Sequence, residues 1–172
     1  EGQTIVLLHG LGDSKEVWLD VAKRLTPHFH LIIPDLPGWG ESTRVGGASY
    51  NVDAQAARLQ GFVDTLHLQR FILVGHSLGG AVAGLYAAEH PDHVSELALI
   101  DAFGLKYKEN AFAREAMAGK DPFIFDDRAG FERMTALALS KPLNLPGRFV
   151  DVLIKRNPVS YTHLTLPTKR IG

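Results

Sequence analysis

The chain has 172 residues, 45% hydrophobic and 22% charged, which suits a globular domain with a buried core. A net charge of −1, with no long basic or acidic run, argues against nucleic acid or an anionic membrane as a partner. The absence of cysteine excludes disulfides and thiol catalysis and leaves the compartment open; no apolar stretch approaches the roughly eighteen residues of a transmembrane helix.

No signal peptide is visible, but the chain opens Glu1-Gly2-Gln3 without an initiator methionine. The natural start, with any signal, is therefore expected upstream. Thr4-Ile5-Val6-Leu7-Leu8 is a continuous apolar run, the pattern of a strand buried on both faces. His9-Gly10-Leu11-Gly12-Asp13-Ser14 ends it. Val17, Trp18, Val21, Ala22 and Leu25 then recur at helical spacing, with Asp13 or Ser14 as N-cap. Leu31-Ile32-Ile33 is the next expected strand, running into the turn residues Pro34 to Ser42. Val52, Ala56, Leu59, Val63 and Leu66 mark a second amphipathic helix.

Phe71-Ile72-Leu73-Val74 predicts a third strand. Gly75-His76-Ser77-Leu78-Gly79-Gly80 follows, and then a small-residue helix that must end near His90-Pro91. Leu97 to Asp101 predicts a fourth strand. Strands alternating with helices imply a parallel sheet with right-handed crossovers, whose ligands sit at the carboxyl ends of the strands. His9-Gly10-Leu11, Asp35, Ser77 and Asp101 all fall at such ends.

Beyond Ala102 no strand signal returns. Segments 111–118, 129–139 and 147–156 read as short helices, with Phe103, Phe112, Phe123, Phe125, Phe131 and Phe149 scattered through the region. This is expected to be a helical cap whose apolar residues line a pocket, although each phenylalanine taken singly fits an ordinary helical core. The expected division is a core over 1–105, a cap over 106–158 and a non-native tail over 159–172. That tail is threonine-rich, has no helical period, and resembles the translation of sequencing-adapter DNA.

The chemistry centres on Gly75-His76-Ser77-Leu78-Gly79, a G-x-S-x-G pattern in the strand-to-helix context that a nucleophile elbow requires. A serine on so sharp a turn has a strained backbone. Glycine at 75 and 79 removes collisions that β-carbons there would make with the adjoining strand and helix. Ser77 would be held out at the top of the sheet, with the Leu78 N–H at a helix N-terminus, where developing negative charge is favoured. The plainer reading is a glycine-rich turn that only packs.

Taken together, His9-Gly10-Leu11-Gly12, Asp35-Leu36-Pro37-Gly38-Trp39-Gly40-Glu41-Ser42 and Gly75-His76-Ser77-Leu78-Gly79-Gly80 resemble the α/β-hydrolase superfamily. The resemblance covers residues 1 to about 101 and implies the N-terminal half of that fold, a parallel sheet flanked by helices, plus the start of a helical cap. Asn144-Leu145-Pro146 before a basic helix is more loosely similar to bacterial lipases and monoacylglycerol-lipase-like esterases. The resemblance implies Ser77 as nucleophile and the N–H groups of Leu11 and Leu78 as the oxyanion hole. His9 and Gly10 would shape the oxyanion loop, His76 would flank the nucleophile without acting as base, and Asp35 with the Gly38/Gly40 turn would be structural. An apolar ester is the implied small-molecule substrate, and no cofactor and no metal is implied.

Such a serine needs a histidine base and an orienting carboxylate, in the chain order Ser, Asp or Glu, His. Asp101 is a candidate acid, though such a residue more often caps a loop. His90 and His93 follow the elbow helix at its far end, and His163 lies in the suspect tail. The acid and base are therefore expected to be missing and the chain to be nearly inactive as it stands. His28/His30 and His90/His93 lack a third metal ligand at sensible spacing. Gly10-Leu11-Gly12 lacks the third glycine of a dinucleotide loop, since position 15 is lysine, and no Walker loop occurs. Carbon–carbon bond hydrolases, cofactor-free peroxidases and non-catalytic receptors on the same scaffold are the alternatives.

Overall fold

The computed structural model describes residues 2–104, 114, 125–138, 141 and 145–156. Those up to Gly104 belong to one compact unit and those from Arg114 to a second. In the first, β1 (Thr4–Leu8) leads through a 3-10 turn (Lys15–Trp18) into α1 (Leu19–Leu25). There follow β2 (His30–Ile32), α2 (Val52–Thr65), β3 (Phe71–His76), α3 (Leu78–Glu89) and β4 (Val94–Ile100). The strands form one parallel sheet in the order β2-β1-β3-β4.

The apolar run of β1 is buried because both faces of the sheet are covered there. Ile5 and Leu7 point to one face, where Trp18, Leu25 and Phe29 pack with Ile72 and Val74 of β3. Val6 is registered with Leu73, on the opposite face, where Phe71 lies 6.2 Å from the ring of Tyr86 in α3. Ile5, Val6, Leu7 and Leu8 are all essentially out of solvent, each burial stabilising by about 1.5–3 kcal/mol. On α2, Val52, Ala56, Leu59 and Val63 are buried at helical spacing, and the Asn51 side chain accepts from the Ala54 N–H at 2.9 Å to cap the helix.

Several boundaries and faces differ from the sequence expectation. β2 runs over His30–Ile32, one residue earlier than the apolar triplet 31–33. β4 begins at Val94 because backbone pairing with β3 starts there and resumes at the polar Glu96 after a bulge at Ser95, and it ends at Ile100, leaving Asp101 just outside. Of the stripe expected on the first helix only Trp18 is buried; Val17 and Val21 are exposed. A 3-10 turn opens that segment, and its tighter winding breaks the 3.6-residue register on which the stripe was read. Ser14 occupies the cap position without a side-chain cap bond, while Asp13 Oδ1 accepts from the Ser14 N–H. Leu66 is the C-cap of α2 rather than part of its buried face and is 44% exposed.

In the second unit, α4 (Arg128–Ala138) packs with α5 (Gly147–Arg156). Phe131 and Val150 are buried, Phe125 meets Phe131 edge-on at 5.5 Å, and Arg128 bridges to Asp151 at 2.6 Å. Phe149 is exposed, so the scattered phenylalanines do not share one environment. The expected helix over 111–118 lies outside the described residues except for Arg114, which is helical, and the tail over 159–172 lies wholly outside them.

Candidate active site

The strand order creates the site. After β1 the chain turns one way to reach β2, and after β3 it turns the other way to reach β4. The two departing loops diverge and leave a crevice at the carboxyl ends of β1 and β3, where open parallel sheets bind ligands. The loop 9–12 lines one side and Ser77 the other.

Ser77 adopts φ 50°, ψ −115°, a conformation costing a non-glycine residue about 1–3 kcal/mol. Its backbone is held on both sides: its N–H donates to the Ile100 carbonyl at 3.0 Å, and its carbonyl accepts from Phe103 at 3.0 Å and Ala81 at 3.1 Å. The strain is thus supported by β4, the following loop and α3 together. Ser77 is partly exposed, and its hydroxyl makes no hydrogen bond among the described residues.

The glycines beside it are required by space. A β-carbon on Gly75 would lie 2.2 Å from the Gly79 carbonyl oxygen, and one on Gly79 would lie 2.4 Å from that of His9. A β-carbon on Gly10 would sit 3.2 Å from Ser77 Cβ and 3.1 Å from His76 Nδ1, so the backbone of the 9–12 loop approaches the serine closely. The Leu11 N–H and the Leu78 N–H, the latter at the first residue of α3, donate to nothing among the described residues. His76 Nδ1 is likewise buried without a partner.

His9 is fully buried, with Nδ1 2.8 Å from the Gly10 carbonyl oxygen and Nε2 accepting from the Leu36 N–H at 2.9 Å. A carbonyl only accepts and an amide N–H only donates, so the ring proton is on Nδ1. The contact of His9 Nε2 with Asp35 at 4.0 Å is therefore not an ion pair. Asp35 instead accepts from the Lys15 N–H at 2.7 Å, the Lys15 ammonium at 3.1 Å and the Glu41 N–H at 2.9 Å. Burial pushes its carboxyl upward, but the Glu41 and Lys15 donors outweigh that and hold it below the usual carboxylate range. Lys15, paired also with Glu41, is held well above the usual lysine range. The Ser42 hydroxyl donates to the Asp35 carbonyl at 2.6 Å. Gly40, at φ 52°, leaves no room for a β-carbon beside the Asp35 carboxylate.

The structure therefore brings His9, Gly10, His76 and Ser77 together, with Gly75, Leu78 and Gly79 around them. Asp101 lies one residue beyond β4, exposed, at φ 45°, with no ion pair or hydrogen bond to its side chain among the described residues. His90 and His93 stack on each other 5.7 Å apart by Tyr86, at the far end of α3. Among the described residues no cluster of three His, Asp or Glu side chains could hold a metal ion. No helix there is long and apolar enough to cross a membrane. A cavity of about 380 Å³ lies between the loop after β2 and α2, lined in part by Leu8, Asp35, Leu36, Gln55 and Leu59, and Ser77 is not among its lining residues. Sequence reasoning had no signal for the grip of Ile100 and Phe103 on Ser77, nor for the bond from Leu36 to His9, because each is a long-range backbone contact.

A family model described as the alpha/beta hydrolase fold matches residues 3–136. The chain belongs to this family. Curated relatives of this hydrolase-fold chain include the monoacylglycerol lipase ABHD6 of Homo sapiens, 41% identical over 114 residues, which cover 64% of this chain and 34% of that protein. Lipase 1 of Psychrobacter immobilis is 35% identical over 147 residues, covering 84% of this chain and 46% of the lipase. Among solved structures, a bacterial membrane phospholipase A superposes with a TM-score of 0.82 at 34% identity, covering 91% of this chain and 51% of that one. A putative lipase of Acinetobacter baumannii superposes with a TM-score of 0.79 at 31% identity, covering 91% and 54% respectively. The hydrolase-fold chain thus spans about a third to a half of the length of the curated relatives it matches.

Proposed function

We propose that the protein carrying this chain hydrolyses carboxylic esters, acylglycerols among them, through an acyl-enzyme on Ser77. The observation that carries the reading is a strained, partly exposed serine beside two unengaged backbone amides, Leu11 and Leu78, at the sheet's switch point. The names of the relatives, lipases and monoacylglycerol lipases, support the ester as substrate class.

In this mechanism Ser77 Oγ bonds to the ester carbonyl carbon and passes its proton to a base. The carbonyl π electrons move onto oxygen, and the Leu11 and Leu78 N–H groups stabilise that oxyanion. Collapse breaks the bond to the alkoxy oxygen, which takes the proton and leaves as alcohol. Water then repeats the sequence and releases the acid. One oxyanion donor contributes about 10²–10³ in turnover.

The base is not at hand among the described residues. Ser77 Oγ has no partner: both His9 nitrogens are engaged, His93 Nδ1 is 2.8 Å from the Tyr86 hydroxyl, and His76 Nδ1, though unpartnered, makes no bond to the serine. We assign the base and its carboxylate to parts of the protein beyond these residues. Without that base, Ser77 is expected to retain only about 10³–10⁴ over water, from the oxyanion hole and binding. The test is labelling of the complete gene product by a fluorophosphonate, with Ser77→Ala as control. Labelling of the wild type alone is the expected result, and equal labelling of both refutes the reading.

A further inference from the structure

We infer that Asp101 is a positioning residue: through its left-handed backbone, not its carboxylate, it closes a bulge that clamps both peptide groups of Ser77, a role that rests on the acyl-enzyme reading of that serine. β3 and β4 are paired up to His76 opposite Ile100. In a regular parallel ladder the N–H and the carbonyl of one residue bond to two residues that lie two apart on the next strand. The rung after His76 would therefore join Ser77 to Ile100 and Ala102. Instead the Ser77 N–H donates to the Ile100 carbonyl at 3.0 Å, and the Ser77 carbonyl accepts from the Phe103 N–H at 3.0 Å. One extra residue stands opposite Ser77, which makes the end of this ladder a bulge.

Asp101 takes up the extra length by coiling the chain at φ 45°. Apart from glycine, asparagine and aspartate enter this left-handed region most readily, and β-branched residues least. The Asp101 carboxylate is exposed and has no ion pair or hydrogen bond among the described residues, so the backbone conformation is what the position demands. Ala102, the other residue of the bulge, is pressed onto α3: a β-carbon on Gly80 would lie 2.6 Å from Ala102 Cβ. The clamp matters because two peptide planes meet at Ser77 Cα. Fixing the N–H of one and the carbonyl of the other fixes the direction of the Cα–Cβ bond, and hence where the hydroxyl can reach. The Ser77 carbonyl also shares a planar peptide unit with the Leu78 N–H, so holding the first at Phe103 aims the second. The end of β4 thus sets the nucleophile and one oxyanion donor through backbone atoms alone.

Three substitutions in the complete gene product separate backbone from carboxylate. Asp101→Val opposes the left-handed turn, whereas Asp101→Asn and Asp101→Gly allow it and lack the charge. Misplacing reacting groups by about 1 Å costs about 10²-fold, so Asp101→Val is expected to lower kcat by about 10- to 100-fold with KM little changed. Asp101→Asn and Asp101→Gly are expected to rescue kcat to within about threefold of the wild type. Amide hydrogen exchange reads the clamp itself. The Ser77 and Phe103 N–H groups are expected to be protected in the wild type and in Asp101→Asn, and to exchange at least about tenfold faster in Asp101→Val. Should Asp101→Val fail to fold, the wild-type exchange and the kcat of Asp101→Asn still decide. A kcat for Asp101→Asn reduced about 10-fold or more gives the role to the carboxylate and overturns the inference; so does wild-type kcat in Asp101→Val, or an unprotected Phe103 N–H in the wild type. If Ser77→Ala hydrolyses esters as the wild type does, the acyl-enzyme reading fails; if Ser77 is labelled yet Asp101→Val matches wild-type kcat, the role of Asp101 alone fails.

Discussion

Two glycines five residues apart in α3 should respond to alanine with opposite signs. Gly79 and Gly84 lie in the same helix, and helix propensity alone favours alanine at both by about 1 kcal/mol. At Gly84 a β-carbon meets nothing within 4 Å. Gly84→Ala is therefore expected to stabilise the first unit by about 0.5–1 kcal/mol. At Gly79 the same carbon would lie 2.4 Å from the His9 carbonyl oxygen and 2.5 Å from that of Leu8. Ordinary contact lies near 3.5 Å, so a shift of about 1 Å is needed. The obstacle is the backbone at the end of β1, which cannot turn aside as a side chain would. Overpacking costs about 1–3 kcal/mol where side chains can yield, and here more is expected; after the propensity gain, Gly79→Ala should lose about 2 kcal/mol or more. The two variants should then differ by about 3 kcal/mol, or about 2 M in urea midpoint for a slope near 1.5 kcal/mol/M. Fluorescence of the buried Trp18 and Trp39, both in the first unit, reports the transition. A Gly79→Ala midpoint equal to or above wild type would refute the reasoning, because it would mean that β1 and α3 do not approach as closely as the elbow requires.

Other expectations follow from the same contacts. Asp35 is held below its unfolded pKa, so its contribution to stability is present above the unfolded value near 3.9 and is lost as pH falls through the lower folded value. Asp35→Asn should flatten the acid limb of a stability-against-pH curve, and an unchanged limb would contradict the assignment. Asn51→Ala removes the cap on Ala54 N–H and should cost about 1 kcal/mol in urea unfolding. Tyr86→Phe removes the 2.8 Å hydrogen bond to His93 and should cost about 1 kcal/mol. In the wild type the buried Tyr86 hydroxyl, pushed up to about 12 by burial with help from Asp64, should ionise later than an exposed tyrosine in an ultraviolet titration.

Much of the architecture was legible in the letters because local physics writes it there. The β1 run is buried on both faces and β3 is buried on one face and half-buried on the other, so nearly every residue is apolar, and the α2 stripe at 52, 56, 59 and 63 repeats at the helical period. The elbow was legible because a β-carbon at 75 or 79 has nowhere to go. The edges were less clear. β4 starts three residues before its apolar run because backbone pairing with β3 takes in Val94 and Glu96 around a bulge at Ser95, and the exposure of Val17 and Val21 followed from a 3-10 turn that apolar spacing does not announce.

Sequence alone determined that a serine stands two places after a glycine at the end of one strand and that a histidine-glycine pair ends another. It could not say that β1 and β3 are neighbours, since strand order is set by how the whole sheet closes. Nor could it say that Leu36, 27 positions after His9, decides which nitrogen of that ring carries the proton. Those facts belong to tertiary structure because they depend on backbone atoms, identical in every residue, being brought together from distant parts of the chain.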